Sequence, residues 1–197
     1  MSTGYPKYFS SDLVVAPISI TIFSSILLFS IFLNSSLPNV KASEPDTLII
    51  QAILNSWSIH QSKNLLLLKD IKAESLKDTS ASGGRDVAHQ ILHMIEVRAA
   101  WLKQFYPESK NDFNLPNEEI TIEYLNKYMI LSADWILAAI KIGLYSGDIP
   151  NYNHHPVIFL AYVVSHESHH RGQIILSLKQ SKHPIRQRTG FALWDWQ

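Results

Sequence analysis

The sequence predicts an all-α protein, a four-helix bundle. Three observations carry this: long segments with apolar residues at helical spacing, no convincing run of alternating apolar and polar residues, and Pro- or Gly-marked breaks between the segments.

Four segments qualify. The first runs from about Asp46 to Lys69, with Pro45 where helix N-termini tolerate proline. Its apolar content comes from Leu48, Ala52, Leu54, Trp57, Ile59, Leu65 and Leu68. The second follows the breaker TSASGG, Thr79 to Gly84, and runs to about Tyr106, where Pro107 stops it. The third is expected to start near Pro116, with NEE supplying a cap and first-turn acids, and to continue to the turn between Gly147 and Pro150. The fourth starts near Pro156 and runs to about Lys182, ahead of Pro184. Long helices with short connections are the pattern of a bundle.

The bundle is expected over residues 44–197, with residues 1–43 set apart as an apolar leader. The stretch Leu13–Leu33 carries no charge and matches the ~20 residues needed to cross a bilayer. It reads as a signal-anchor, as a secretory signal cut after NVKA, or as an extension outside the functional chain. Flanking charges are nearly balanced and leave its orientation open. Residues of opposite charge cancel over the whole chain and only 17% are charged, so no basic face recommends a nucleic-acid partner. The absence of cysteine excludes disulfides and thiolate metal sites; any metal must be held by nitrogen or oxygen.

The chemistry concentrates in YVVSHESHHRGQ on the fourth segment. His166 and His170 stand at i and i+4, on one face of a helix, where they can offer two nitrogens to one ion. Phe159, Val163 and Ile174 share that face, so the pair projects from an apolar stripe. Buried imidazoles need partners: a divalent cation would satisfy both, and the alternative is a pair of core histidines bonded to side chains or water. His169 is rotated about 100° away and points elsewhere. A third ligand is required, and the second segment offers His89, His93 and Glu96; periodicity does not choose among them. HESHH also satisfies the H-E-x-x-H zinc-protease pattern, with Glu167 as general base. That reading lacks a good downstream ligand and a strand to hold a peptide. Glu96 and Glu167 are candidate bases or ligand partners, and equally salt-bridge partners for Arg98 or Arg171. Gln173 can bond a ligand or substrate, while His154 and His155 read as a helix cap, and His60 and His183 show no partner pattern.

Three segments, in order, resemble the DinB/YfiT-like metal-binding proteins: GRDVAHQILHMIEVRAAWL, HPVIFLAYVVSHESHHRGQIILSLKQSKHP and the closing GFALWDW. The resemblance covers about Asp46 to Gln197 and implies a four-helix bundle, often a homodimer. Carried onto this chain, it implies metal ligation by His93, His166 and His170, with zinc or nickel, or iron, as the divalent ion. It also implies metal-dependent hydrolysis or S-transfer with a low-molecular-weight thiol; no catalytic residue is assigned. The other class is a non-catalytic, metal-stabilised binding or stress-response protein. Such proteins are usually cytoplasmic, whereas a functional leader would make this chain membrane-anchored or exported. Trp194 and Trp196 are expected to cover the core, or to fold back as a lid.

Overall fold

Five α-helices and no strand make up the described residues, 47–108 and 119–195 of the computed structural model. Helix α1 spans Thr47–Asp70, α2 Val87–Phe105, α3 Ile122–Ser146, α4 Pro156–Gln180 and α5 Gln187–Ala192, with a 3-10 turn at Ala73–Ser75. The leader with its Leu13–Leu33 stretch lies outside the described residues, as do Pro116, Asn117 and Trp196.

Local chemistry sets the helix ends. Asp86 caps α2 by accepting from the backbone N–H of His89 at 2.8 Å. The third helix starts later than the sequence suggests. Glu119 and Ile120 are not helical, and the Thr121 hydroxyl is the cap, accepting from the N–H of Tyr124 at 3.2 Å. An extended threonine can take one of the orphan N–H groups of the first turn, and that fixes the start here. At the other end Gly147 adopts φ 92°, and its N–H closes on the carbonyl of Gly143 at 2.8 Å. His155 caps α4, its Nδ1 accepting from the N–H of Val157, with Pro156 in the first turn. Beyond α4 the chain turns through Lys182 at φ 68°, and the N–H of His183 returns to the carbonyl of Leu178 at 2.9 Å.

In the bundle α3 packs on α1 and α2, and α4 packs on all three. Helices α1 and α2 pack more closely on α3 and α4 than on each other, and the connection 71–86 crosses the end of the bundle in place of a tight hairpin. The core holds two apolar clusters. One centres on Ile91, Ile95, Leu125 and Ile174, the other on Phe105, Ile136, Ile140 and Phe159. Each such side chain contributes about 1.5–3 kcal/mol by leaving water. Helix α3 is, among the described residues, the one helix long and apolar enough to cross a membrane by length and composition; 44% of that apolar window is buried, against its three neighbours, while Ile130 and Ile142 face outward.

The tail departs from expectation. It forms the short α5, anchored on α1: Lys63 Nζ donates to the carbonyls of Ala192 and Asp195, and the Arg186 N–H donates to Asp70 at 2.7 Å. Ile185 and Leu193 pack against the core, while Trp194 is 84% exposed. Trp194 therefore covers nothing: the Lys63 contacts hold the tail by its backbone and leave the indole pointing to solvent.

Candidate metal centre

The site is built where α2 faces α4. His166 and His170 rise from the inner side of α4, on the stripe that buries Phe159, Val163 and Ile174. His93 reaches them from α2. One nitrogen from each of the three rings lies within 4.8 Å of the others, and His166 Nε2 and His170 Nε2 are 3.1 Å apart. Tetrahedral ligation at a metal–nitrogen distance near 2.0–2.1 Å needs nitrogens about 3.3 Å apart. The rings meet edge to face, His93 to His170 at 4.9 Å and His93 to His166 at 5.3 Å between centroids.

The protonation states suit ligation. His170 Nδ1 lies 2.6 Å from the side-chain Oε1 of Gln90, an acceptor, so Nδ1 carries the proton and the Nε2 lone pair faces the cluster. Burial, then the charges of His166 and His93, push the His170 pKa down to about 4. Burial and the Arg85 charge push His93 down to about 4 as well, and burial lowers His166 against the pull of Glu167. All three rings are therefore neutral near pH 7, the form in which imidazole binds a metal. Two facing Nε2 atoms at 3.1 Å need either a proton shared between them or a cation.

The surroundings grade from dry to wet. Gln90 and His170 are buried, while His93 and His166 are half-buried. Tyr162, 43% exposed, stacks on His166 at 6.0 Å and touches Trp101, so an aromatic wall flanks one side. Glu96, one turn from His93, has a carboxylate oxygen 4.0 Å from His93 Nδ1. A wider cleft of about 890 Å³ opens beside Leu76, Ala88, Leu92 and Ile122, and none of the three histidines lines it. The converging nitrogens, not that larger void, mark the chemistry.

Other candidates resolve differently. His89 is exposed and bonded to Asp86 at 2.7 Å, outside the cluster, and His169 is exposed as its rotation on the helix requires. His183 pairs with Asp78 at 2.8 Å. His60, which has no partner pattern in the sequence, is fully buried and donates Nε2–H to Glu167 at 2.8 Å. Arg171 joins α4 to α1 by donating to Asn64 Oδ1 at 2.6 Å.

Glu167 overturns the protease reading. Its carboxylate, 1% exposed, accepts from Arg98 Nε at 2.6 Å and Nη2 at 2.7 Å, from His60, and from Asn64 at 2.6 Å. Three of these donors converge on Oε2 and one on Oε1. Burial opposes its ionisation, but the Arg98 charge and these bonds outweigh that and hold the carboxyl well below the usual carboxylate range. A group so buried and engaged, with little affinity for a proton near neutral pH, is a poor general base.

Sequence reasoning missed Gln90 and the His60–Asn64–Gln61 side of this network. The Gln90 signal was its place three residues before His93, beneath the α4 histidines. The network left none, because its members are more than a hundred positions from Glu167 on one side and 69 on the other.

Searches against curated proteins and against solved structures gave no match. The family model described as the DinB family matches residues 43–187, which is most of the chain and contains all three histidines of the cluster. An all-helical bundle, a three-histidine cluster between its second and fourth helices and this match lead to one conclusion: the chain belongs to the DinB family.

Proposed function

We propose that the protein is a metal-dependent enzyme that binds one divalent ion through His93, His166 and His170, zinc or nickel before iron, and uses it for hydrolysis or for transfer of a low-molecular-weight thiol. The observation that carries this is the convergence of three neutral imidazole nitrogens, within 4.8 Å, from two helices. A Lewis acid held there would favour the deprotonated, nucleophilic form of a water or thiol at its open position. The chain's own groups have definable parts. Gln90 fixes the His170 ring so that Nε2 points inward. Glu96 is placed to orient His93 or to take a proton at the edge of the site. Tyr162 and Trp101 supply an apolar wall for a substrate.

Two features favour an enzyme over a structural metal clamp. The cluster offers three ligands among the described residues, and two of them are half-buried. Catalytic zinc sites keep a fourth position free, whereas structural ones close it with protein. In addition, α2 and α4 are already fastened by the Arg98–Glu167 ion pair, so a metal is not needed to hold them. The signal or anchor reading of Leu13–Leu33 belongs to the same proposal and would place the site at or beyond a membrane.

The test is metal analysis of the full chain purified in mild detergent. Close to one divalent ion per chain is expected, and His170→Ala should abolish it while helical circular dichroism stays. Binding that survives the substitution would refute the ligand set. Cobalt-substituted protein should change its visible spectrum on adding a thiol if the transferase branch holds; no response to several thiols would shift the reading to hydrolysis.

A further inference from the structure

The ion pair between Arg98 and Glu167 lies on the same two helices as the histidine cluster and next to it in sequence. Glu167 follows His166 directly, and Arg98 is five residues beyond His93. Both side chains are 1% exposed. The contact is two-pronged, Nε to Oε1 at 2.6 Å and Nη2 to Oε2 at 2.7 Å, a fork-to-fork geometry that only one relative placement of the helices allows. The remaining donors of Arg98 are spent on α3 and α1. Nη1 donates to the Met129 carbonyl at 3.0 Å and Ser132 Oγ at 3.2 Å, and Nη2 donates to Gln61 Oε1 at 2.8 Å. All four long helices are therefore keyed to one another at this level.

Stability alone does not explain such a pair. Removing two charges from water costs about as much as their attraction returns, and an apolar replacement is often as stable. What a two-pronged pair adds is register. Sliding α4 past α2 by one turn, about 5.4 Å, would break both bonds and leave two buried charges unpaired. The same slide would carry one of His166 and His170 out of reach of His93 and leave the other in the place its neighbour vacated, so the three rings could no longer converge.

We infer that the Arg98–Glu167 pair is a positioning device that sets the register of α2 against α4 and so preassembles the three-histidine cluster before any metal arrives. This rests on the metal-site reading for its purpose, but its geometric content stands apart and is tested apart. Arg98 and Glu167 act through His93, His166 and His170 and touch no substrate.

The discriminating variant is Arg98→Met with Glu167→Gln in the full chain. It removes the α2 arm and both charges, while the amide at 167 still accepts from His60 and Asn64. Two readouts are needed: nuclear Overhauser contacts between the His93 ring and the His166 and His170 rings in metal-free, histidine-labelled protein, and zinc affinity by competition with a chromophoric chelator. The wild-type rings, at 4.9 and 5.3 Å between centroids, should show the contacts. The folded double variant should lose them, and its zinc affinity should fall about ten- to hundred-fold. Should it fail to fold, Arg98→Lys, which keeps the charge but not the fork, should weaken both readouts in the same direction. A folded variant with its ring contacts and zinc affinity intact would overturn the inference and leave the pair a structural one, whatever its melting temperature. Wild-type protein that shows the ring contacts but binds no zinc would sink the metal reading instead, and loss of those contacts in the variant would still support the positioning role.

Discussion

Replacing Arg98 alone by Met tests the energetics of the core directly. The substitution leaves the Glu167 carboxylate 1% exposed with only His60 and Asn64 as donors and without its directly bonded cation, Arg171 acting on it only from behind His60 and Asn64. Breaking one side of a buried pair costs about 3–5 kcal/mol, a large part of the ~5–15 kcal/mol that holds a domain together. For a domain of this size that corresponds to a fall in melting temperature of roughly 6–20 °C, at about 2–4 °C per kcal/mol. The loss should depend on pH with a definite sign. In the native protein the Glu167 pKa is depressed, so its contribution is complete above the unfolded carboxyl value and is lost as pH falls toward the much lower folded value. In the variant the buried carboxylate lacks its cation and gains by protonation, so acid relieves its strain. The gap between the two proteins, measured by urea denaturation of metal-free full chain, should narrow from pH 7 to about pH 4. A gap under about 1 kcal/mol at pH 7, or one independent of pH, would refute the account of Glu167 as a buried, ionised partner.

Three further outcomes are expected. Gln90→Leu removes the acceptor for His170 Nδ1–H and should weaken zinc binding about tenfold, read by chelator competition, with little loss of helix. Because burial pushes His93 and His170 down to about 4, protons compete with metal only in acid. Zinc affinity should stay nearly level from pH 7.5 to about 5 and then drop, rather than fall from pH 6.5 as for free imidazole. The same depressed values mean that the metal-free fold loses stability as pH falls from about 6.5, where the unfolded histidines take up protons first. Gly143→Ala should destabilise the protein by about 1–3 kcal/mol in thermal or chemical unfolding, because an added Cβ would sit 2.6 Å from Ile149 and 2.8 Å from Pro156 where α3 meets the start of α4.

Much of the site can be read along a single helix. His166 and His170 share a face because i and i+4 always do, and the apolar stripe of Phe159, Val163 and Ile174 told which way that face points. The cap at His155 follows from its place before Pro156. His93 is harder. It lies away from the strongest apolar face of α2, and its periodicity leaves it level with His89 and Glu96; only resemblance to a family singled it out. The later start of α3 escaped because two capping signals compete there, and Thr121 takes the N–H of Tyr124.

Local pattern by itself determined the helical class, the helix pair of histidines and, through the lack of cysteine, the exclusion of thiolate ligands, since these depend on spacing along one chain segment or on composition alone. Tertiary structure decided that Glu167 is an ion-pair partner and not a base, that His60 is buried beneath it, and that Trp194 stays outside. The physical reason is distance in sequence. Arg98 and His60 lie 69 and 107 positions from Glu167, and no helical periodicity reports which side chains two separate helices bring together when they pack.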